Sequence, residues 1–301
     1  MSLLHDFCGV IREKWPEMKV LEEEPLKKHT SFQTGGPAWM VFPKTIAEMT
    51  GLYRLCLEHG ISPLILGAGT NVLAPDQGLD RLVICTRDLS GIRDMADGKI
   101  EAMGGVTLTR LAVHARDLGL MGLEFAHGIP GTVGGGVYMN AGAYGGEIRQ
   151  VAEKTTALLP DGSLWEAEGE VQGFSYRHSA FQEKQAVILK TVFALQPGDP
   201  AEIQKTMQDL AARRRASQPL EYPSAGSTFK RPQGGYAAAL IEQAGLKGKG
   251  VGRAAVSEKH AGFVINLGGA TSKDVLATMD LIQKTVQEHS GICLEPEVRI
   301  W

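Results

Sequence analysis

The sequence has three places whose side chains could do chemistry, and the first is a polar and aromatic segment around Arg177. Residues 174–181 read Phe-Ser-Tyr-Arg-His-Ser-Ala-Phe. A guanidinium keeps its proton at any working pH, so Arg177 could hold or polarise a carboxylate or phosphate but could not act as a base. The alternative is a structural arginine paired with an acidic side chain.

The second place is a turn around Ser227, where residues 226–230 read Gly-Ser-Thr-Phe-Lys. A hydroxyl in such a turn can be a nucleophile, a proton donor or a hydrogen-bonding cap. Because no Gly-x-Ser-x-Gly elbow surrounds Ser227, the sequence does not indicate a hydrolase. Lys230 adds a positive charge that could meet an acidic substrate.

The third place is the C-terminal segment 291–301, which we predict to be a strand and which carries Glu295 and Glu297. We expect at most one of these carboxylates to point into a given site, which disfavours the paired acids of a glycosidase. The histidines and the four cysteines lie far apart in the sequence, without the spacing of metal ligands. We therefore expect reduced thiols and no metal site.

A glycine-rich run extends from Gly128 to Glu147 and carries eight glycines among apolar residues. Each glycine loses more chain entropy on ordering than any other residue, so such a run makes a poor helix or strand interior. Glycine also lets a backbone approach a ligand and direct its N–H groups at phosphate. We predict a buried loop against a large phosphate-bearing ligand; the alternative is a turn between core elements.

A second glycine turn, Gly67-Ala68-Gly69-Thr70-Asn71, follows a predicted strand. It begins like a dinucleotide-binding fingerprint, but Val72 occupies the third glycine position and no helix follows. The Rossmann interpretation therefore fails. If the ligand is a dinucleotide, a different fold holds it.

The composition limits the class of protein. Hydrophobic residues make up 43% and charged residues 22% of the 301 residues, as in an ordinary globular protein. The net charge of −3 argues against a nucleic-acid or membrane-surface partner. His5 and Asp6 lie where a secretory signal needs an apolar run, and no apolar stretch is long enough to cross a membrane. We expect a cytoplasmic protein.

In collinear order, six segments of this sequence resemble the UDP-N-acetylenolpyruvoylglucosamine reductase family, flavoenzymes of bacterial peptidoglycan precursor synthesis. The segments are 30–36, 66–73, 129–147, 176–181, 226–230 and 295–299. Each motif is weak alone, but six in register from about residue 20 to the C-terminus are highly specific.

The resemblance implies an α+β fold in three parts. Two lobes, residues 1–90 and 91–198, would form an FAD-binding unit of the vanillyl-alcohol-oxidase (PCMH) type, and residues 199–301 would form an α+β substrate-binding domain. The Gln-Pro-Gly-Asp-Pro segment at 196–200 fits a domain boundary. The implied reaction uses NADPH to reduce bound FAD, and the reduced flavin passes hydride to the enolpyruvyl double bond, giving UDP-N-acetylmuramate.

Carried over position by position, the resemblance makes Ser227 the proton donor and places Arg177 and Glu297 around the substrate carboxylate. Lys230 and Arg231 would contact substrate. The FAD contacts would be Leu66, Gly67, Ala68, Gly69, Thr70, Asn71, Val72, Gly128, Ile129, Pro130, Gly131, Thr132, Val133, Gly134, Gly135, Asn140, Ala141 and Gly142.

Two departures from the family pattern matter. Arg231 replaces an asparagine that the family often has, and the span 174–186 is too short for the inserted tyrosine loop of some members. The chain therefore resembles the loop-lacking type, and we expect a monomer. Two alternatives stay open, another FAD-dependent oxidoreductase of the same fold and a non-catalytic protein that binds flavin or a UDP-sugar.

Overall fold

The computed structural model describes residues 3–301, and its contacts divide the chain into two units. The first unit contains Trp39–Ala68, Arg81–Arg213 and the chain before Glu23. The second contains Glu23–Ala38, Gly69–Asp80 and Arg214–Trp301. The division into 1–90, 91–198 and 199–301 stays a prediction, because these contacts do not separate two lobes within the first unit.

Helices and strands both occur along the whole described chain. The helices are α1 (Leu3–Lys14), α2 (Ile46–Glu58), α3 (Leu108–Asp117), α4 (Val133–Tyr138), α5 (Ala180–Glu183), α6 (Pro200–Ser217), α7 (Ala237–Gln243) and α8 (Ser272–Ser290). The longer strands are β1 (Lys19–Pro25), β2 (Pro37–Phe42), β3 (Leu64–Leu66), β5 (Leu82–Cys85), β6 (Ile92–Asp94), β7 (Lys99–Met103), β11 (Ala152–Leu158), β12 (Leu164–Glu168), β13 (Val187–Ala194), β16 (Ala254–Val256) and β17 (Val264–Asn266). Two-residue strands are β4 (Val72–Leu73), β8 (Leu120–Met121), β9 (Gly142–Ala143), β10 (Gly146–Glu147), β14 (Gln196–Pro197), β15 (Gly250–Val251) and β18 (Arg299–Ile300).

The first unit is built on two sheets. One has the strand order β1-β2-β5-β3, with β5 parallel to both β2 and β3. The other is antiparallel with the order β12-β11-β13-β7-β6. The unit has two apolar cores. One contains Trp39, Val41 and the buried face of α2 together with residues of the antiparallel sheet such as Leu189, and the other runs from Ile100 to Met207. Two cores in one unit are what a two-lobed FAD-binding unit requires.

The glycine-rich run is not the continuous loop that we predicted. Thr132 caps a short helix, α4, which contains Gly134, Gly135 and Gly136. Two of these glycines are needed for close packing, because a Cβ on Gly134 would lie 3.0 Å from the carbonyl oxygen of Gly104 and one on Gly136 would lie 3.0 Å from Leu108. The entropy cost of glycine in a helix is thus offset by contacts that a larger residue could not make.

The second unit contains the three-stranded antiparallel sheet β15-β16-β17 and the helices α7 and α8. Its core includes Phe32, Ile241, Val264 and the buried face of α8. The predicted C-terminal strand over 291–301 is wrong in its length: β18 spans two residues and pairs with β4 in parallel. Pro296 cannot donate a ladder hydrogen bond, and only an isolated bridge to Phe229 forms there.

Asp76 fixes the 69–80 segment to the start of α8. Its carboxylate accepts hydrogen bonds from the Ser272 N–H (2.7 Å), the Ser272 hydroxyl (2.8 Å) and the Lys273 N–H (3.2 Å). A carboxylate there satisfies helix N–H groups and interacts favourably with the helix dipole. Thr271 and Asp274 form a capping box at the start of the same helix.

Within residues 3–301, we find no helix that combines the length and the apolar character needed to cross a lipid bilayer.

We predict that Asp76→Ala lowers the free energy of unfolding by about 1–2 kcal/mol, because α8 loses a capping carboxylate. Urea unfolding followed by far-UV circular dichroism measures this change. Asp280→Ala is the matched control, since Asp280 is exposed in the middle of the same helix. Equal stability of the two variants would contradict the capping role.

Candidate functional site

The Gly67 turn has its carbonyl groups anchored on one side. The Leu66 carbonyl accepts a hydrogen bond from the Thr86 hydroxyl at 3.3 Å. The Arg87 guanidinium donates to the Gly67 carbonyl at 3.3 Å and to the Ala68 carbonyl at 2.9 Å. Three successive carbonyls therefore face residues 86 and 87.

This anchoring fixes the direction of the N–H groups of the turn. In a trans peptide the N–H of one residue points opposite to the carbonyl of the residue before it. The N–H groups of residues 67, 68 and 69 consequently point away from Arg87, in one direction. Successive N–H groups that converge in this way form an anion-binding concavity, so the turn fits the pyrophosphate of FAD.

The structure brings two of the predicted cofactor segments together within the first unit. A Cβ on Gly67 would lie 2.7 Å from the Thr132 hydroxyl oxygen, so only glycine fits there. Thr132 is buried, and its hydroxyl accepts from the Gly135 N–H at 3.3 Å. The Gly131 carbonyl accepts from the N–H of Leu108, the first residue of α3, at 3.0 Å, and the Val133 N–H donates to the carbonyl of Val106, two residues earlier, at 2.7 Å.

The side chain of Asn140 is held by protein groups, and the predicted contact of this residue with the cofactor stays a prediction. Its side chain is fully buried: the amide nitrogen donates to the Glu147 carboxylate (3.1 Å) and the Ser175 carbonyl (2.9 Å), and the amide oxygen accepts from the Arg149 N–H (3.0 Å). The side-chain amide is thus engaged by protein groups, so a side-chain contact to cofactor is not what holds it in place. Asn140 ties the glycine-rich run to the segment that carries Arg177.

Arg177 lies in a two-residue reverse turn of the first unit. Ser175 and His178 close the turn with reciprocal backbone hydrogen bonds of 3.1 and 3.2 Å, and Arg177 adopts a left-handed φ of 54°. Its guanidinium donates to the Gly142 carbonyl at 3.4 Å and lies 5.1 Å from the centre of the Tyr176 ring. The half-buried guanidinium is therefore held by its surroundings.

Thr228 joins three segments of the second unit. It is buried; its N–H donates to the Gly262 carbonyl (2.9 Å), its hydroxyl accepts from the Val264 N–H (3.0 Å) and its carbonyl accepts from the Glu297 N–H (2.8 Å). The exposed Ser227 is the preceding residue. The backbone positions of Ser227 and Glu297 are thus set by one buried residue.

Asn71, at the end of the glycine turn, contacts the C-terminal segment of the second unit that carries Glu297. Its side-chain nitrogen donates to the Glu297 carbonyl at 3.2 Å, and its own carbonyl accepts from the Arg299 N–H at 3.0 Å. The Asn71 amide therefore positions the backbone of Glu297. A predicted cofactor residue and a predicted catalytic residue meet here.

The two predicted substrate-binding residues have protein partners. The Lys230 ammonium pairs with the Glu295 carboxylate, and the Lys230 N–H donates to the Glu295 carbonyl at 2.8 Å. The Arg231 guanidinium lies 4.4 Å from the centre of the exposed Tyr236 ring. Both cations lie close to Ser227 in sequence and remain at least partly exposed.

Sequence reasoning gave no role to Arg87, to Thr228 or to the residues 29–31, although Thr228 and residues 30–31 lie within two of the six family segments. A Cβ on Gly69 would lie 2.0 Å from the His29 carbonyl oxygen, and the Ser31 N–H donates to the Gly69 carbonyl at 3.0 Å. No spacing rule marks such residues, because each acts on a backbone group that is distant in sequence. For Thr228, the sequence offered one indication of a role at the site, which was its position next to Ser227.

The described part of the chain holds no group of three or more histidine, cysteine or acidic side chains that could bind a metal. Its cysteines are free thiols, and burial raises the pKa of Cys56 to about 12 and that of Cys8 to about 11. These buried thiols are therefore protonated and unreactive at neutral pH.

Two protein-family models match the sequence. One is described as an FAD binding domain and matches residues 37–168. The other is the C-terminal domain of UDP-N-acetylenolpyruvoylglucosamine reductase and matches residues 218–301.

Relatives match over nearly the whole chain. A UDP-N-acetylenolpyruvoylglucosamine reductase of Limosilactobacillus reuteri is 44% identical, covering 96% of this chain and 97% of the relative. UDP-N-acetylenolpyruvoylglucosamine reductase 2 of Symbiobacterium thermophilum is 46% identical, covering 94% and 92%.

Solved structures give the same result. The crystal structure of UDP-N-acetylenolpyruvylglucosamine reductase from Thermus caldophilus has a TM-score of 0.80 and 34% identity, covering 94% of this chain and 99% of that one. Phl p 4.0202, a glucose dehydrogenase, has a TM-score of 0.51 at 12% identity over 65% of this chain and 44% of its own, which shows the fold alone. The predicted α+β fold, with an FAD-binding unit of the vanillyl-alcohol-oxidase type and a C-terminal α+β domain, is confirmed.

We predict that Arg87→Gln weakens FAD binding about tenfold or more, because a charge-assisted hydrogen bond contributes about 1.5–3 kcal/mol. Fluorescence titration of the flavin-free protein with FAD measures the dissociation constant. Arg81→Gln is the matched control, since Arg81 also donates to a backbone carbonyl, that of Ser62, at 3.0 Å. Unchanged FAD affinity in Arg87→Gln would refute the anchoring role.

Proposed function

Because this chain belongs to the UDP-N-acetylenolpyruvoylglucosamine reductase family, we propose that it reduces the enolpyruvyl group of UDP-N-acetylenolpyruvoylglucosamine to give UDP-N-acetylmuramate. It is an FAD-containing oxidoreductase of peptidoglycan precursor synthesis with NADPH as the reductant. The observation that carries this conclusion is full-length identity of 44–46% to reductases of that name. The FAD-binding and C-terminal domain matches in one chain support it.

When bound, FAD supplies the hydride that it has taken from NADPH. We assign its pyrophosphate to the backbone N–H groups that follow Leu66, where the Arg87 contacts orient the turn. The close packing of Gly67 on Thr132 favours the second segment, 128–135, as the other wall of the same site. Ala141 and Gly142 continue that segment toward Arg177.

Arg177 would bind the substrate carboxylate. Hydride addition to the enolpyruvyl double bond places negative charge on the carbon next to that carboxylate and on its oxygens. A guanidinium held by the Gly142 carbonyl and the Tyr176 ring meets that charge without having to reorient. Because this interaction is stronger in the transition state than in the ground state, it accelerates the reaction.

Ser227 would donate the proton that completes the reduction, since one hydride and one proton together saturate the double bond. Its hydroxyl is exposed, while the next residue is fixed on all its polar groups. A serine is a weak acid, so its proton transfer needs the negative charge of the intermediate and a fixed approach. Thr228 supplies the second of these requirements.

Glu297 would contact a carboxyl oxygen of the substrate and assist the polarisation by Arg177. Its backbone is held by the Thr228 carbonyl at its N–H and by the Asn71 amide at its carbonyl. Lys230 and Arg231 would meet the acidic remainder of the substrate. Arg231 supplies a positive charge where many family members have an asparagine amide.

We further propose that the protein works as a monomer in the cytoplasm, without a nucleic-acid or membrane partner. The net charge of −3 and the absence of a membrane-spanning helix within residues 3–301 support this view.

The test is a spectrum followed by an assay. The purified protein should show a flavin spectrum, and NADPH absorbance should fall when UDP-N-acetylenolpyruvoylglucosamine is added. A flavin spectrum with NADPH loss that does not depend on this substrate would instead favour another oxidoreductase of the same fold. Bound flavin without any NADPH turnover would favour a binding protein.

We predict that Ser227→Ala retains FAD and is reduced by NADPH at the wild-type rate, yet loses at least about 10²-fold in alkene reduction, since general acid catalysis contributes about 10²–10⁴-fold. Stopped-flow absorbance at the flavin band separates the two half-reactions. Ser224→Ala is the matched control in the same segment. Product formation at the wild-type rate in Ser227→Ala would remove Ser227 as the donor.

A further inference from the structure

We propose that His260 is a positioning residue for Ser227, acting through the peptide groups of Gly262 and Thr228. The inference deepens the proposed function and rests on it, because the position of Ser227 matters only if Ser227 donates the proton.

The first step is the contact between the imidazole and Gly262. The Gly262 N–H donates to Nδ1 of His260 at 3.1 Å. A Cβ on Gly262 would lie 3.0 Å from Cε1 and 3.1 Å from Nδ1, so the ring packs directly on this peptide. Because Nδ1 accepts a hydrogen bond, the neutral ring carries its proton on Nε2.

The second step leads from Gly262 to the serine turn. The Gly262 carbonyl accepts the Thr228 N–H at 2.9 Å, and two residues later the Val264 N–H donates to the Thr228 hydroxyl. The peptide between Ser227 and Thr228 therefore takes its orientation from Gly262. The Phe263 N–H belongs to the same peptide group as the Gly262 carbonyl and donates to the His260 carbonyl, so His260 contacts both peptide groups of Gly262, one through its ring and one through its backbone.

The third step is the rigidity of the imidazole itself. The Ser257 hydroxyl accepts from the backbone N–H groups of Lys259 (3.1 Å) and His260 (3.3 Å), and the Phe263 N–H donates to the His260 carbonyl (3.0 Å). The His260 ring meets the Phe263 ring edge to face with centroids 5.0 Å apart. Because hydrogen bonds fix the His260 backbone and Phe263 packs against its ring, the imidazole can hold the Gly262 N–H in place.

The charge state of His260 should make the reaction rate depend on pH, an effect that a purely packing role would not produce. Burial lowers the pKa of His260; a hydrogen bond with its own backbone opposes this by a smaller amount, Lys247 lowers the pKa further, and Glu242 raises it least. Lys247 and Glu242 are paired at 2.6 Å, and the Lys259 ammonium donates to the Arg215 carbonyl. The ring is therefore neutral at neutral pH and accepts the Gly262 N–H.

Protonation reverses this contact. Below the pKa of His260 a proton occupies Nδ1, and two donors then face each other. We expect alkene reduction to fall at acid pH with the dependence of a single group, below the ordinary histidine pKa of about 6.5. Flavin reduction by NADPH does not need Ser227 and should lack this dependence on His260.

The test compares His260→Ala with His260→Asn across pH. The asparagine side-chain oxygen can take the place of Nδ1 as an acceptor, and it does not titrate. We expect His260→Ala to lose about tenfold in kcat for alkene reduction with little change in KM, since small misplacements of reacting groups cost up to about 10²-fold. We expect His260→Asn to retain most of the rate and to lose the acid limb. His289→Asn, an exposed histidine of the same unit, should leave the profile unchanged.

Several results would overturn the inference. They are wild-type kcat in His260→Ala, an acid limb that persists in His260→Asn, or equal losses in both variants. The ring ¹⁵N chemical shifts of His260 in the wild-type protein give a check that needs no variant, since a proton on Nδ1 at neutral pH would also refute it. Failure of the proposed function can be told apart from failure of this inference. If the proposed function is wrong, the wild-type protein itself will show no substrate-dependent NADPH oxidation.

Discussion

The chemistry of the second unit depends on the hydrogen bonds of one buried threonine. Thr228 uses its N–H, its hydroxyl and its carbonyl to hold Gly262, Val264 and Glu297. A buried N–H or carbonyl without a partner costs about 1–3 kcal/mol, so these bonds favour one arrangement strongly over its alternatives. Ser227 can be exposed and yet fixed in position because the hydrogen bonds of Thr228 hold the adjoining backbone.

In the first unit, a side chain likewise fixes the backbone of the turn at residues 67–69, whose N–H groups we propose as an anion site. Arg87 satisfies the carbonyls of Gly67 and Ala68, which fixes the peptide planes, and its charge lies behind the turn that we propose for the pyrophosphate. Glycines at 67 and 134 let segments pack within distances that a side chain would forbid. In both units, one side chain fixes the orientation of nearby backbone N–H and carbonyl groups, and that side chain needs no contact with substrate to do so.

The sequence was sufficient for the family, the fold class and the segments that form the candidate site, because glycine runs and the turns around Arg177 and Ser227 are local patterns. It was insufficient where tertiary contacts override local preference. Helix α4 forms within the glycine-rich run where Thr132 caps it and where Gly134 and Gly136 pack tightly on Gly104 and Leu108, and the C-terminal strand is short because Pro296 interrupts it. The roles of Arg87, Asn140 and Thr228 could not be predicted, since their partners are distant in sequence.

The central claim is that the Thr228 hydroxyl, through Val264, sets the position of Ser227, and a comparison of Thr228→Val with Thr228→Ser tests it most directly. Valine keeps the shape and removes the acceptor, whereas serine keeps the hydroxyl. Stopped-flow measurement of alkene reduction should show a rate about tenfold lower in the valine variant than in the serine variant, with equal rates of flavin reduction by NADPH. Equal alkene-reduction rates in the two variants would contradict the account.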